Sequence, residues 1–181
     1  MIFEEKTLES QMIYQGKILN LRRDKVTVQT GISSREIIEH NGGAVIGALT
    51  DDGNLVMVKQ FRKPAERVLL EVPAGKRDGS EKGIDVAIRE LKEETGYTAN
   101  EMIFLTSFYP TPGYSEEVLD IFLAKGLTPG ETDFDENEAI DICEYPLSEL
   151  IDMAMRGEIE DGKTLITVLM VKKYLEREMG E

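Results

Sequence analysis

The sequence GKRDGSEKGIDVAIRELKEETGY, residues 75–97, contains a glycine-punctuated loop followed by a segment with helical periodicity from about Glu81. Four apolar residues in this segment follow the i, i+3, i+4, i+7 spacing that places side chains on one face of a helix. They are Ile84, Ala87, Ile88 and Leu91. The pattern predicts an amphipathic helix that buries this apolar face.

Three glutamates, Glu90, Glu93 and Glu94, fall within one turn of the predicted helix, beside its apolar face. Like charges at this spacing repel one another, and a bound cation would remove that cost. Carboxylate oxygens on a short helical turn suit Mg²⁺ or Mn²⁺ better than zinc. Arg89 lies one turn before Glu93 and can pair with it, which would orient that carboxylate. A solvated acidic face with one salt bridge is the alternative explanation.

The sequence around this helix predicts further strands and helices. Apolar and alternating runs favour strands at 17–30, 35–39, 43–50, 55–61 and 68–72, and at 102–109, 118–124 and 139–146. Turn residues separate the early strands at 30–34 and 51–54, and the segment 73–75 breaks the strand before the helix. Two helices are predicted over 147–155 and 164–178. This order indicates an α+β protein with helices packed on a mixed sheet.

The chain length of 181 residues suits one main domain with a small extension. The early strands predict an antiparallel N-terminal β unit over residues 1–40, and the main domain then covers 41–181. A unit of this size is too small for a core of its own, which is consistent with a need for a partner surface.

Charge and composition exclude several classes of protein. The chain has 21 Lys and Arg against 35 Asp and Glu, a net charge of −14, which opposes binding to nucleic acid or to an anionic membrane. One cysteine, Cys143, excludes an intrachain disulfide and a multi-thiolate metal site, and fits a reducing compartment. The longest nearly apolar stretch, 42–49, is too short to span a bilayer. These features predict a cytoplasmic location.

The stretch 75–97 resembles the Nudix box, which reads Gly, five residues, Glu, seven residues, then Arg-Glu-apolar-x-Glu-Glu-x-Gly-apolar. The matching residues are Gly75, Glu81, Arg89, Glu90, Leu91, Glu93, Glu94, Gly96 and Tyr97. With seven fixed positions at roughly one in fifteen each, a chance match is on the order of 10⁻⁸. The resemblance implies the Nudix fold, an α/β/α sandwich around a mixed sheet, and hydrolysis of a nucleoside diphosphate linked to another moiety.

The resemblance also implies roles for residues of the box. Glu90 and Glu94 would bind Mg²⁺ together with the carbonyl of Ala74, and Mn²⁺ can substitute for Mg²⁺. Glu93 would either support these ligands or act as the general base, and Arg89 would hold Glu93 in place. The metal would neutralise the diphosphate and lower the pKa of an attacking water.

The flanking sequence resembles the ADP-ribose pyrophosphatases within this family. Pro112 lies beyond the box in FYPTPGYSEE, residues 108–117, as does the proline marker of that subfamily. Further resemblance covers residues 35–46, 58–64, 71–75 and 135–140. The activity implied is Mg²⁺-dependent hydrolysis of ADP-ribose to AMP and ribose 5-phosphate.

The subfamily resemblance carries over substrate and metal roles to residues outside the box. Arg62 would hold a phosphate by a bidentate contact, Arg35 and Glu36 would reach the adenosine end, and Gly113 and Glu117 would contact substrate. Glu138 would complete the metal site, and Glu136 is a second candidate for the general base. The alternatives are a surface cation at Arg62, a cross-strand salt bridge at Arg35 and Glu36, and solvated loop acids at Glu136 and Glu138.

Two departures from the subfamily pattern affect the substrate pocket. Pro110 and Thr111 stand where a serine commonly precedes the Pro-Gly pair, so the ribose end can differ. No aromatic residue stands at 17 or 18 to stack on adenine, which leaves Phe3 or Tyr14 as candidates. His40, the only histidine, is interpreted as a structural residue or a minor substrate contact.

The resemblance implies a homodimer in which N-terminal strands are exchanged, so that Arg35 and Glu36 serve the partner's site. Two other functions compete with ADP-ribose hydrolysis. The first is a Nudix hydrolase for another nucleoside diphosphate sugar, a dinucleotide or an oxidised nucleotide. The second is a sensor that binds ADP-ribose without cleaving it, although such a protein would usually lack one of the box carboxylates.

Overall fold

The computed structural model describes residues 2–134 and 139–180. Contacts between α-carbons divide the chain into two compact units. The first contains residues up to Gly42 together with Tyr109–Val118, and the second contains Gly43–Phe108 and the chain from Leu119 onwards. The division into two domains with a boundary at residue 40 stays a prediction. The observed first unit also includes residues 109–118, which the prediction placed in the main domain.

The first unit is a three-stranded antiparallel sheet in the order β1-β2-β3. Its strands are β1 (Thr7–Gln15), β2 (Asn20–Val28) and β3 (Gly31–Glu39). Every residue of β1 is exposed, whereas β2 buries Asp24 and Val26. The predicted small antiparallel unit is therefore confirmed, with an additional strand, β1, that the sequence pattern did not reveal.

The turn between β2 and β3 is shorter than the sequence indicated. It occupies residues 29 and 30, and Gly31 has a φ of 137°, which favours glycine. Because the chain reverses there at once, Ile32 and Ser33 are already paired with β2, opposite Thr27 and Val26. The prediction of a turn over 30–34 was wrong for this reason.

The segment 109–118 adds to the end of β3 within the same unit. Ile38 donates its backbone N–H to the carbonyl of Tyr114 at 2.7 Å, and Glu116 donates to the carbonyl of Ile38 at 3.0 Å. Arg22 on β2 forms ion pairs with Glu39 at 2.7 Å and with Glu116 at 2.6 Å. The loop that follows Pro112 is thus held by β2 and β3.

The second unit contains a mixed sheet in the order β10-β5-β4-β9-β8, with β6 paired to β5 and β7 paired to β4. Its strands are β4 (Gly43–Leu49), β5 (Asn54–Arg62), β6 (Arg67–Glu71), β7 (Ala74–Lys76), β8 (Thr98–Phe108), β9 (Leu119–Thr128) and β10 (Ile140–Pro146). Its helices are α1 (Gly83–Thr95), α2 (Leu147–Met155) and α3 (Gly162–Met179). Strands β4 and β9 are parallel, and the other pairs are antiparallel.

Helices cover both faces of this sheet because β4 is apolar throughout and sends alternate side chains to opposite faces. Val45 belongs to a core cluster with Leu150 of α2 and Val168 of α3. Ala44 and Ile46 belong to a second cluster with three residues of α1, Val86, Ala87 and Leu91. The predicted α+β class and α/β/α sandwich are confirmed. Full burial of each large aliphatic side chain contributes about 1.5–3 kcal/mol.

Helix α1 confirms the predicted helix but not all of its predicted buried face. Ala87 and Leu91 are buried, whereas Ile84 is 40% and Ile88 is 53% exposed. The buried stripe is rotated toward Val86 and includes the carboxylate residue Glu94. The assignment of Ile84 and Ile88 to the core was wrong because part of the inner face of the helix is acidic.

Within the described residues, no helix is long and apolar enough to cross a membrane.

Candidate active site

The site begins where α1 packs against β7. Strand β6 ends before Pro73, and β7 then pairs with β4 through Ala74 and Gly75. The backbone N–H of Ala74 donates a hydrogen bond to Oε2 of Glu94 at 2.9 Å. Glu94 is only 4% exposed, and this bond fixes its carboxylate beside the residue whose carbonyl is the other predicted metal ligand.

Gly75 brings the β7 backbone against a second carboxylate of the helix. A Cβ atom at Gly75 would lie 1.8 Å from the carboxyl carbon of Glu90, so no other residue fits without moving that side chain. A Cβ atom at Gly43 on β4 would in turn lie 2.3 Å from the carbonyl oxygen of Gly75. Close packing of β4, β7 and α1 therefore places the carboxylates of Glu90 and Glu94 against the same short backbone segment, Ala74 and Gly75 of β7.

Arg89 forms ion pairs with three acidic residues of the motif. Its guanidinium contacts Glu90 at 2.7 Å, Glu93 at 2.8 Å and Glu81 at 3.1 Å, and it donates to the carbonyl of Lys76 at 3.1 Å. The predicted Arg89–Glu93 pair is confirmed. Hydrogen bonds to Glu81, followed by those to Glu90 and Glu93, raise the pKa of Arg89. The hydrogen bond from Arg89 lowers the pKa of Glu81, a residue of the motif to which the sequence analysis assigned no role.

Arg62 lies at the end of β5 and forms a bidentate ion pair within the protein. Its Nε and Nη2 atoms donate to the two carboxylate oxygens of Glu71, each at 2.8 Å. Glu71 also pairs with Lys163, which contacts Asp161 at 3.0 Å. Burial opposes the ionised form of Glu71, but hydrogen bonds from Arg62 and the charge of Lys163 outweigh it and lower the pKa. Sequence reasoning missed both Glu71 and Lys163.

The other predicted substrate residues belong to the first unit. Arg35 pairs with Glu5, with an Nε to Oε2 distance of 2.9 Å, and Glu36 is exposed opposite Arg23 in the β2–β3 register. The alternative considered for Arg35 was a salt bridge to a neighbouring strand. Its observed partner, Glu5, instead lies in the segment before β1. Gly113 lies in a turn, where an added Cβ atom would meet no atom of the described residues within 4 Å.

Glu117 and His40 lie together in the first unit. Nδ1 of His40 is 3.5 Å from Oε1 of Glu117, and it accepts a hydrogen bond from the backbone N–H of Gly42 at 3.1 Å. His40 thus supports the backbone that follows β3, which agrees with its interpretation as a structural residue. The role of Glu117 in substrate binding stays a prediction.

The donor set fits a divalent cation that prefers oxygen ligands. Glu90, Glu94 and the Ala74 carbonyl supply hard oxygen atoms, and Gly75 makes room for the Glu90 carboxylate. Within residues 2–134 and 139–180, no group of three or more His, Cys, Asp or Glu side chains is arranged to hold a metal ion. Glu138, the predicted third carboxylate ligand, and Glu136, a candidate base, lie outside the described residues.

Comparison with known proteins identifies relatives across nearly the whole chain. Residues 40–167 match the NUDIX domain, and residues 5–38 match the nucleoside diphosphate sugar hydrolase N-terminal domain. An ADP-ribose pyrophosphatase of Bacillus subtilis (strain 168) is 39% identical over 96% of each chain. A methanol dehydrogenase activator of Bacillus methanolicus is 39% identical over 92% of each chain. A crystal structure of an ADP compounds hydrolase shares the fold with a TM-score of 0.86, at 21% identity, over 98% of this chain and 97% of that one.

Proposed function

Since the chain belongs to the NUDIX family, we propose that it hydrolyses the diphosphate of ADP-ribose to AMP and ribose 5-phosphate with Mg²⁺ as cofactor. One observation carries this proposal: Glu90 and Glu94 are both fixed against the backbone of Ala74 and Gly75. Two carboxylates held beside the same two backbone residues, with the Ala74 carbonyl, would offer hard oxygen ligands to a cation that also binds a diphosphate.

In this proposal Ala74, Glu90, Glu94 and Glu138 hold the metal, and Mn²⁺ can replace Mg²⁺. When bound, the metal would neutralise the diphosphate oxygens and lower the pKa of the attacking water. Arg89 keeps the carboxylates of Glu90 and Glu93 in fixed orientations, as its contacts of 2.7 and 2.8 Å support. This preorganisation reduces the cost of assembling the site around substrate.

The water must lose a proton, and two residues are candidates to accept it. Glu93 is partly exposed and hydrogen-bonded to Arg89, and Glu136 is the alternative. Glutamine variants at each position distinguish them, because only loss of the base removes the acidic limb of the pH–rate profile. We expect one variant to lose that limb and the other to keep it.

The substrate would contact the protein through Arg62, Arg35, Glu36, Gly113 and Glu117. The name of the Bacillus subtilis relative supports ADP-ribose as the substrate. The match of residues 5–38 to the N-terminal domain of nucleoside diphosphate sugar hydrolases also favours a second candidate, another nucleoside diphosphate sugar. A sensor without catalytic activity is disfavoured because every acidic position of the box is retained.

We further propose a cytoplasmic homodimer with exchanged N-terminal strands. Strand β1 supports it, because the strand is exposed along its length and carries Leu8, Met12, Ile13 and Tyr14. Apolar side chains in such number on one exposed strand favour burial against a partner. Gel filtration with light scattering should give twice the chain mass, and a stable species of 20.3 kDa would contradict the dimer.

The test of the proposed reaction is hydrolysis of ADP-ribose with and without Mg²⁺, followed by chromatographic separation of products. A panel of nucleoside diphosphate sugars, dinucleotides and nucleoside triphosphates is run in parallel. We expect metal-dependent release of AMP and ribose 5-phosphate at a rate well above that of the other compounds. Activity only on another member of the panel would keep the family chemistry and reject ADP-ribose as the substrate.

A further inference from the structure

The ion cluster around Glu71 combines a buried carboxylate with an exposed cation. Glu71, at the end of β6, has a side chain that is 1% exposed, whereas the side chain of its partner Arg62 is 42% exposed. A buried carboxylate needs a charged or hydrogen-bonding partner to offset its desolvation. Lys163, which is largely buried, already provides one. Lys163 thus offsets part of the desolvation of Glu71, and the bidentate pair with Arg62 is a second interaction whose effect on Arg62 can be considered separately.

The pair with Glu71 fixes the plane of the Arg62 guanidinium. Two of its nitrogens, Nε and Nη2, each donate to Glu71 at 2.8 Å. The third, Nη1, makes no hydrogen bond to any residue in the described parts of the chain. The hydrogen bonds to Glu71, together with the negative charges of Glu71, Glu94 and Asp161, raise the pKa of Arg62. Arg62 is thus a cation of fixed orientation near the negative charge of Glu94, and its Nη1 hydrogen-bonds to none of the described residues.

Lys163 is fixed in turn by the start of α3. Asp161 caps this helix by accepting a hydrogen bond from the backbone N–H of Thr164 at 3.0 Å, and it accepts one from Lys163 at 3.0 Å. Thr164 Oγ1 accepts a hydrogen bond from the backbone N–H of Val72 at 2.9 Å, which joins α3 to the residue after Glu71. The ammonium of Lys163 is therefore held beside Glu71 by the helix cap.

The four charged side chains of this cluster carry equal numbers of positive and negative charges. Glu71 and Asp161 contribute two negative charges, and Arg62 and Lys163 contribute two positive ones. Because Lys163 shares the charge of Glu71, Arg62 is less completely neutralised than it would be in an isolated pair. Arg67 lies opposite Arg62 in the β5–β6 register and forms an exposed ion pair with Glu160 at 2.9 Å.

We propose that Glu71 and Lys163 are positioning residues that hold Arg62 for contact with the diphosphate of the substrate. Glu71 fixes the guanidinium, and Lys163 balances the charge of Glu71 so that Arg62 keeps its attraction for phosphate. The proposal rests on the proposed function, which supplies the diphosphate. Its consequence is that changes at Glu71 act on substrate binding through Arg62.

A double-mutant cycle tests whether Glu71 acts through Arg62. The variants are Glu71→Gln, Arg62→Ala and the double substitution. The dissociation constant of ADP-ribose is measured by calorimetry in EDTA, and kcat and KM are measured with Mg²⁺. We expect each single variant to raise Kd and KM about tenfold, which is typical of losing a charge-assisted hydrogen bond. The double variant should be no weaker than Arg62→Ala, and kcat should stay within about twofold of wild type.

Two further variants keep the test valid if Glu71→Gln folds poorly. Lys163→Met leaves Arg62 paired to Glu71 alone and should raise Kd about threefold, since Arg62 is then more fully neutralised. Glu160→Gln is the matched control, because it removes the carboxylate partner of the neighbouring Arg67 and should leave Kd and KM unchanged. Thermal unfolding of each variant separates loss of fold from loss of binding.

The outcomes distinguish this inference from the proposed function. An unchanged Kd for folded Glu71→Gln, or a fully additive effect in the double variant, would overturn the positioning role. Tight binding of ADP-ribose with a coupled cycle but without hydrolysis would support the positioning role and refute the proposed reaction. Hydrolysis of ADP-ribose with additive effects in the double variant would support the proposed reaction and refute the positioning role. Failure of the wild-type protein to bind ADP-ribose would overturn both claims.

Discussion

Helix α1 and strand β3 both carry charged residues assigned to ligand binding, but they hold them differently. On α1, Glu94 is bonded to the backbone of Ala74 and Glu90 lies against Gly75. On β3, Arg35 is bonded to the side chain of Glu5. Main-chain contacts leave a side chain few alternative positions, whereas a surface ion pair is worth only about 0–1 kcal/mol and rearranges readily. Changes around α1 should therefore cost far more activity than changes on β3.

A large effect on activity is expected from Gly75→Ala. The added methyl group would occupy the position of the Glu90 carboxylate, and a displacement of about 1 Å at a catalytic group can lower the rate about 100-fold. The measurement is kcat for ADP-ribose at saturating Mg²⁺. Gly162→Ala is the control, because a Cβ atom there would meet no atom of the described residues within 4 Å. Wild-type kcat in Gly75→Ala would show that the position of Glu90 is unimportant.

A smaller effect is expected when Arg89 is replaced by lysine. Lysine keeps the charge but cannot contact Glu81, Glu90 and Glu93 together, as the guanidinium does. Loss of such a supporting contact typically costs about tenfold in activity or metal affinity. We expect the Mg²⁺ concentration for half-maximal rate to rise by this factor. Arg156→Lys, in an exposed pair with Glu158, controls for the substitution itself, and equal Mg²⁺ curves for both variants would contradict the role of Arg89.

Arg35→Ala should have a weaker effect, confined to substrate affinity. We expect KM to rise about threefold with kcat unchanged, since an exposed charged contact contributes below about 1 kcal/mol. Glu5→Gln removes the ion-pair partner of Arg35 and should leave KM unaltered. A tenfold or larger fall in kcat for Arg35→Ala would mean that β3 contributes to the reaction as directly as α1 does.

The smallest effect is expected at the outer face of α1 itself. Ile88→Ala should change the free energy of unfolding by less than about 0.5 kcal/mol, because Ile88 is exposed. Leu91→Ala, which empties a buried position on the same helix, should cost about 2–5 kcal/mol. Urea denaturation of both variants measures the difference. Equal losses would mean that Ile88 is covered in the folded protein, as in an assembly.

The same contrast explains which features could be predicted from the sequence. Periodicity located α1 and the strands of the central sheet, because burial imposes a regular apolar pattern on them. Strand β1 was missed because it has no buried face, and β7 because it is three residues long. The face of α1 was misassigned toward Ile84 and Ile88, since local periodicity cannot show that a glutamate lies inward.

Side-chain partners were predictable only when they lay close together in the sequence. The Arg89–Glu93 pair spans one helical turn and was expected. Arg62 and Glu71 meet across neighbouring strands, and Lys163 reaches Glu71 from a helix far along the chain. No local pattern reveals such a contact. Glu71 also stands at the end of a mainly apolar strand, where a charged residue gives no signal of its partner.

The most direct test of the acidic face of α1 as the active site is kcat of Glu94→Gln for ADP-ribose at saturating Mg²⁺. Glutamine keeps the size of the side chain and an oxygen to accept the Ala74 N–H, but removes a ligand charge. We expect a loss of about 100-fold or more with the fold intact, while Asp85→Asn, at an exposed acid on the same helix, keeps wild-type activity. An unaltered kcat in Glu94→Gln would contradict the assignment of the acidic face of α1 as the active site.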